Sequence, residues 1–261
     1  MIPGPASLHA VWGARELTGS LVGRELRARY KGSALGFAWS LLNPLLMMAV
    51  YSLVFAHVMR VQVPHYGVFL LAGLLPWGWF AAGVTASAQA VTGNAGLIKK
   101  VRFPQEVLPV VAVLTHAAHY LLALPVLLGF MLAEGVWPTT ALLWLPLLLV
   151  IQAAFTLGLG LLLAAANAFF RDVEQLLGPL LMAWFYLTPV VYPLSFLPDR
   201  YQGWLQLNPL TALFAGYQAI FVQGQGPQPM LLAYTACWAG LLLYGGLVVF
   251  GAHRHDFAEV V

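Results

Sequence analysis

Side chains that could perform acid–base, nucleophilic or metal chemistry are scarce in this chain. Its 261 residues include 9 Asp and Glu, 7 His and a single cysteine, Cys237. His116 and His119 are three residues apart and could share one face of a helix, but no carboxylate or cysteine near them completes a metal site. We therefore expect no metal, and interpret the two histidines as packed residues or as part of a water-lined path.

The composition of the chain indicates which secondary-structure elements hold these residues. Hydrophobic residues make up 61% of the chain and charged residues only 8%, against about 25% charged in a typical soluble domain. Crossing a bilayer core takes roughly 20 apolar helical residues, and the alternation typical of a β-barrel is absent. The sequence predicts an all-α integral membrane fold with six transmembrane helices, at about 37–58, 68–91, 107–133, 141–166, 176–191 and 230–250.

Basic residues indicate the side of the membrane on which each loop lies. Ten of the twelve Lys and Arg fall in segments that the six spans place on one side. They are Arg15, Arg24, Arg27, Arg29, Lys31, Lys99, Lys100, Arg102, Arg171 and Arg254. Because cytoplasmic loops are enriched in Lys and Arg, both termini are predicted to be cytoplasmic.

A further apolar stretch, Leu205–Val222, lies between the fifth and sixth spans and contains Asn208-Pro209. If it crossed the membrane, the last span would reverse and Arg254 would face outward, against the charge pattern. Broken helices are tolerated at depth where protein or water surrounds them. We therefore predict an outer re-entrant helical pair between spans five and six.

Residues 1–32 are predicted to form an N-terminal cytoplasmic interfacial helix, and residues 33–261 the transmembrane domain. Aliphatic residues are interspersed with charges along Ala6–Lys31, a pattern typical of a helix in the membrane interface with cations near anionic headgroups. The alternative is an ordinary solvated lead-in to the first span. The candidate headgroup-binding residues are Arg24, Arg27, Arg29 and Lys31.

The loop Thr92–Glu106 between the second and third spans is predicted to contain a short helix. Asn94 can cap its N-terminus, and Phe103 before Pro104 ends it, because the residue preceding a proline disfavours helical geometry. Its cations keep the loop in water, since each costs about 2.5–3.5 kcal/mol at mid-membrane. These cations are Lys99, Lys100 and Arg102.

The apolar face of this short helix comprises Leu97, Ile98 and Val101. With Leu97 and Ile98 exposed on a cytoplasmic surface, the helix is expected to bind a protein partner. A lipid-facing interfacial turn is the alternative. On the partner hypothesis, replacing Leu97 and Ile98 with Asp abolishes docking and leaves membrane insertion intact.

Two absences from the sequence bear on the energy source. No Asp, Glu, Lys or Arg lies in the central turns of any predicted span, whereas ion-coupled transporters usually place ionisable groups there. The chain also lacks a G-x-x-x-x-G-K-[ST] phosphate-binding loop. If ATP drives this protein, a separate subunit binds ATP and Mg, and this chain holds no cofactor.

A membrane-embedded glycosyl- or acyltransferase is a competing hypothesis. Such an enzyme needs acidic or histidine groups that converge at one membrane face, yet Glu134 and Asp199 are the only acids predicted to lie outside. The cytoplasmic acids, including Glu106 and Glu174, occur among basic residues. We interpret them as ordinary surface ion pairs.

Aromatic residues are abundant in and after the second and fifth spans. Interfacial belts and packing explain many of them, and the functional alternative is a path whose flat rings stack on sugars. The candidates for such a path are Trp77, Trp79, Phe80, Phe185, Tyr186 and Tyr192.

Several segments, taken in their order and spacing, match a known family. They are Arg24–Ser33, Leu35–Ser40, Asn43–Leu45, Gly73–Phe80, Asn94–Pro104, Phe170–Val173, Thr188–Pro193 and Asn208–Thr211. Together they resemble ABC-2-type permeases, and more narrowly the subgroup that exports lipid-linked polysaccharides such as O-antigen, capsule and teichoic acid. The sequence departs from the family pattern at Gln218, after Tyr217, where relatives often have arginine.

The resemblance implies a homodimer of this chain with two ABC ATPase subunits in the bacterial cytoplasmic (inner) membrane. It also implies a path between the permeases for an undecaprenyl-diphosphate-linked glycan, with the basic N-terminal helix near the diphosphate. Membrane lipids are the other expected partner, and nucleic acid is not. The residues implied in ATPase coupling are Asn94, Leu97, Ile98, Lys99, Lys100, Arg102, Phe103 and Pro104. An ABC-2 exporter of a drug, lipid or other small molecule remains the alternative.

Overall fold

The computed structural model describes residues 10–30, 38–58, 63–101 and 103–261, which form helices, turns and loops with no strand among them. The α-helices are α1 (Arg15–Tyr30), α2 (Ala38–Ser52), α3 (Tyr66–Ala88), α4 (Ala95–Lys100), α5 (Val107–Ala133), α6 (Leu145–Phe169), α7 (Asp172–Tyr186), α8 (Asp199–Gln206), α9 (Pro209–Gln218), α10 (Pro229–His253) and α11 (Phe257–Val260). Single π-helical segments extend α2 (Leu53–Val58) and α9 (Ala219–Gln223), and 3-10 turns lie at Thr92–Asn94, Thr140–Trp144 and Leu194–Phe196.

Four helical stretches in the described chain are long and apolar enough to cross a membrane. They are Tyr66–Ala88, Val107–Ala133, Thr140–Phe169 and Pro229–His253. The first and fifth predicted spans are occupied by the shorter helices α2 and α7. With 15 residues, α7 is about 22 Å long at 1.5 Å per residue, and so it is shorter than a bilayer core.

The bounds of α7 differ from the predicted range 176–191, and local sequence explains both ends. The helix begins four residues earlier, at Asp172, because Asp172 and Glu174 in its first turn interact favourably with the helix dipole. It ends at Tyr186 because Pro189 follows closely and disfavours helical geometry in the preceding residue. The turn after α7 is nevertheless buried, since Thr188, Val190 and Val191 are inaccessible to solvent.

Polar contacts between helices define two ends of the bundle. Gln152 Nε2 donates to Pro76 O (2.8 Å) and, further along both helices, Asn167 Nδ2 donates to Ala88 O (3.1 Å), so α3 and α6 run in the same direction. We call the end at which α3 and α6 finish the α4 end, and the end at which they begin the opposite end. The basic residues of α1, α4 and positions 171 and 254 gather at the α4 end, whereas Arg200 lies at the opposite end.

A glycine seam joins α6 to α10. A Cβ atom on Gly158 would meet backbone atoms of Leu242 and Leu243, and one on Gly246 would lie 2.5 Å from Gly158 O. The two backbones therefore touch with no side chain between them. Glycine is required at these positions because any larger residue would force the helices apart.

The segment between α7 and α10 enters and leaves the bundle at the opposite end. Asn208 Oδ1 accepts from Leu210 N (3.1 Å) and caps α9. Thr235 Oγ1 donates to Pro209 O (2.7 Å), which places the start of α9 beside the second turn of α10. Thr139 Oγ1 donates to Gly224 O (3.0 Å), which places the end of α9 beside the turn that leads into α6.

Candidate functional site

The loop between α3 and α5 contains the predicted short helix, α4, but Asn94 does not cap it. Asn94 makes no side-chain capping bond. Its Nδ2 instead donates to Ala90 O (2.9 Å). The predicted cap is therefore wrong, because the amide satisfies one of the carbonyls left unpaired where α3 ends.

The sequence predicted that Ile98 is exposed, but the structure buries it. Only 7% of Ile98 is accessible, and it packs in a cluster with Val91, Leu161, Phe250 and Phe257, against which Leu97 is half-buried. The predicted effect of Asp at both positions must be corrected, because a carboxylate at position 98 would enter this apolar cluster and damage the fold.

The exposed surface of α4 is cationic at its C-terminal end. Lys99 and Lys100 are exposed in the last turn. Val101 leaves the helix in an extended conformation and is 50% exposed, so it does not share a face with Ile98. Phe103 is half-buried and packs against two apolar clusters, and Pro104 is half-buried as well. Arg102 lies outside the described residues.

Glu106, at the start of α5, was missed by the sequence analysis, which treated it as a surface acid. Its side chain is 1% exposed, and Oε1 lies 3.6 Å from Nη1 of Arg254, which is 41% exposed. A buried carboxylate is costly unless it is paired. The sequence did contain a sign of this burial. Glu106 directly precedes a long apolar run, and a residue at the start of a helix that packs in the bundle can be buried with it.

A polar cavity of about 490 Å³ lies beside α4 and is lined by Gln89, Thr92, Gly93, Asn167, Arg171 and Glu174. Gln89 Nε2 donates to Glu174 Oε1 (2.7 Å), and Glu174 N donates to Asn167 Oδ1 (3.2 Å). Side chains from the ends of α3 and α6 are thereby bonded to the start of α7. The arrangement joins three helix ends next to the turn that leads into α4.

Helix α1 packs on the start of α5 through one apolar strip. Leu21 is buried against Val107 and Val111, while Arg24 and Arg27 are exposed. Both side chains are therefore accessible to anionic groups beside the α4 end, and Arg24 Nη2 lies 3.9 Å from Glu25 Oε1. The side chain of Arg29, and all of Lys31, lie outside the described residues.

Three of the six aromatic candidates line one cavity. It has a volume of about 360 Å³, lies between α2, α3 and α7, and includes Trp77, Phe185 and Tyr186 together with Asn43 and Tyr51. The rings of Trp77 and Phe185 meet edge to face with centroids 5.3 Å apart. Flat aromatic walls beside an amide and a phenol suit ligands with both apolar and hydroxyl-bearing faces.

The other three aromatic candidates do not line this cavity. Trp79 is buried, donates from Nε1 to Val113 O (3.2 Å) and stacks on Tyr120. Phe80 is fully buried in the core. Tyr192 lies in the turn after α7, and its hydroxyl donates to Tyr186 O (2.7 Å). Trp79 and Phe80 are packed inside the bundle because α3 is the most enclosed of the four long apolar helices.

The fold and its long apolar helices define an integral membrane protein with basic residues gathered at one end. The profile of ABC-2 type transporters matches residues 16–222. The chain belongs to the ABC-2 type transporter family. It is a permease subunit and not an enzyme.

Curated relatives cover nearly the whole chain. An O-antigen export system permease protein RfbA from Myxococcus xanthus is 43% identical over 249 residues, which are 95% of this chain and 96% of the relative. A protein of the same name from Klebsiella pneumoniae is 34% identical over 92% of this chain and 93% of the relative. The polysialic acid transport protein KpsM of Escherichia coli is 25% identical over 87% of this chain and 89% of the relative.

Proposed function

We propose that this chain is the membrane-spanning permease of an ATP-driven exporter that moves a lipid-linked polysaccharide across the bacterial cytoplasmic membrane. The observation that carries the proposal is the 43% identity, over 95% of the chain, to an O-antigen export permease. An O-antigen-like glycan on undecaprenyl diphosphate is the cargo that we infer. The cavity walled by Trp77, Phe185 and Tyr186 supports a carbohydrate cargo because such rings stack on sugars.

The proposed topology has six spans, with α2 and α7 as the first and fifth, and both termini in the cytoplasm. Lys99, Lys100, Arg171 and Arg254 share the α4 end, which supports a cytoplasmic position for that end. Helices α8 and α9 then form the outer re-entrant pair. In a Cys237→Ser background, impermeant thiol reagents added outside cells are expected to label Gly203→Cys and not Lys100→Cys. The reverse pattern contradicts this topology.

We infer that an ABC ATPase subunit, which binds ATP and Mg, acts on α4. The exposed Lys99, Lys100 and Val101 support the docking role, and the buried Ile98 ties α4 to the bundle. Closure of the ATPase dimer would push on this surface. Reversing both charges, in Lys99→Glu/Lys100→Glu, is expected to abolish copurification of the ATPase subunit.

The transport path is proposed to run between two copies of this chain. Helices α2 and α7 border the aromatic cavity and expose large apolar residues that a second copy or lipid must cover. These residues are Leu46, Met47, Val50, Leu53, Leu176, Leu180, Met182 and Tyr186. The exposed Arg24 and Arg27, with Arg29 and Lys31, would attract the diphosphate of the cargo at the cytoplasmic interface.

The cargo is tested in cells of the native host that lack this chain. We expect undecaprenyl-diphosphate-linked glycan to accumulate inside and surface glycan to disappear, and both to be restored by the intact chain. Trp77→Ala is expected to reduce surface glycan, while Trp238→Ala, on the exposed face of α10, leaves it unchanged. Normal surface glycan in cells without the chain would contradict the proposed cargo and favour a small-molecule exporter.

A further inference from the structure

The segment after α10 packs directly on α4. Helix α11 contacts both α4 and α6. Phe257 is inaccessible to solvent and shares a cluster with Ile98, Val91 and Leu161. Its ring centroid lies 5.0 Å from that of Phe250. A six-residue helix such as α4 is too short to be stable alone, so its position depends on this distant aromatic side chain.

A second contact fixes the chain that follows α4. Glu106 follows α4 by six residues and is 1% exposed, with Oε1 at 3.6 Å from Arg254 Nη1. Removing the cation would leave a buried charge without compensation. Arg254 and Phe257 are three residues apart, so one short segment reaches both the carboxylate after α4 and the apolar face of α4.

We propose that Arg254 and Phe257 are positioning residues for energy coupling, because they hold α4 in register with α6 and α10. This inference rests on the proposed function of α4 as the surface on which the ATPase acts. A push on Lys99 and Lys100 would pass through Ile98 and Phe257 to the two long helices. Without the two residues, α4 would move and the long helices would not follow.

The position of α4 is measured first, without the ATPase. Spin labels are placed at Lys100→Cys and Phe170→Cys, both exposed, in a Cys237→Ser background in nanodiscs. We expect a narrow distance distribution, which Phe257→Ala and Arg254→Gln each broaden. Val260→Ala, on the exposed side of α11, is the matched control and leaves it unchanged. Unchanged distributions in both test variants would overturn the proposal.

Coupling is measured next in the complex with the ATPase subunit, as surface glycan produced per ATP hydrolysed. We expect Phe257→Ala and Arg254→Gln to keep ATPase copurification and ATP hydrolysis while the ratio falls roughly 5- to 10-fold, the lower range of coupling between two sites. Phe257→Leu, which restores apolar volume, should recover most of the ratio. A constant ratio, with all activities falling in proportion to the amount of folded permease, would show a merely structural role and overturn the proposal.

Two precautions keep the outcomes distinct. If Phe257→Ala fails to reach the membrane, Arg254→Gln carries the test. If Arg254→Gln fails, the double variant Glu106→Gln/Arg254→Gln replaces it, because it removes the contact without leaving a buried charge unpaired. If the unmodified complex shows no ATPase binding or no glycan export, the proposed function fails, whereas the spin-label result still decides whether Arg254 and Phe257 position α4.

Discussion

The α4 end and the buried turn after α7 are held together by different chemistry. At the α4 end, two contacts between distant segments involve carboxylates, Glu106–Arg254 and Gln89–Glu174, beside the neutral bond from Asn167 to Ala88 O. In the turn after α7, neutral side chains donate to backbone carbonyls. Gln218 Nε2 donates to Pro189 O (2.8 Å).

The turn after α7 has further bonds of the same neutral kind. Tyr66 hydroxyl donates to Val191 O (2.8 Å), and Asn208 Nδ2 donates to Thr188 Oγ1 (2.9 Å). Buried neutral groups have no water to replace a lost partner, so this turn keeps one shape. The bond between Gln89 and Glu174 at the α4 end instead borders a water-accessible cavity, so water can replace a partner that is lost there.

The largest effect is expected from breaking the turn by steric means. Gly73 of α3 lies against Val190, and a Cβ at this position would collide with Val190 O. Gly73→Val should lower the free energy of unfolding by about 3 kcal/mol, the upper end of the usual cost of overpacking. Gly78→Ala in the same helix, where a Cβ meets nothing within 4 Å, is the control. Thermal unfolding in detergent measures both, and equal melting temperatures would refute a rigid turn.

The second effect concerns the hydrogen bonds of the turn. Gln218→Leu leaves the carbonyls of Pro189 and Val190 without their side-chain donor and should cost about 1–3 kcal/mol. Gln206→Leu, at an exposed site, is expected to change little. A loss in Gln206→Leu as large as in Gln218→Leu would argue against this role.

A smaller effect is expected at the α4 end. Gln89→Leu removes the donor to Glu174, a bond in a water-accessible cavity, and should reduce the free energy of unfolding by about 0.5–1 kcal/mol. Gln175→Leu, one residue from Glu174 and exposed, is the matched control. If Gln89→Leu destabilised the protein as much as Gln218→Leu, the contrast between the two regions would disappear.

The smallest effect on stability is expected at the exposed cations of α4. Lys99→Glu/Lys100→Glu should change the free energy of unfolding by no more than about 0.5 kcal/mol, as surface substitutions do. It should nevertheless abolish copurification of the ATPase subunit and glycan export. Arg200→Glu, at the opposite end, reverses a charge without touching α4 and should leave copurification intact. Full ATPase binding by the double variant would remove α4 from the coupling interface.

The sequence predicted elements well where one chain segment determines the outcome. Val107–Ala133 is a continuous apolar run, and a helix occupies that range. The short helix before it was predicted as well, because Lys99 and Lys100 exclude the loop from lipid and Pro104 limits it. The predicted set of coupling residues stays a prediction, since nothing in the fold tests the roles of its members.

The sequence-based predictions were wrong where a distant segment of the chain determines whether a residue is buried. The pattern of Leu97, Ile98 and Val101 cannot reveal that Phe257 covers Ile98. Glu106 appeared to be a surface acid because it ends the loop that carries Lys99, Lys100 and Arg102, whereas Arg254 arrives only through folding. The spacing of apolar residues and the composition describe one helix at a time. The burial of Ile98 and Glu106 depends on partners about 150 positions away.

The contact between Gly158 and Gly246 limits how this protein can change shape. Backbones that touch without an intervening side chain cannot slide past each other, because each step along the helix would bring a larger residue into the gap. Helices α6 and α10 must therefore tilt together as one rigid pair. Any opening for cargo has to form along another edge of the bundle. The edge beside the short helices α2 and α7, whose apolar residues are exposed, is where the helices can separate.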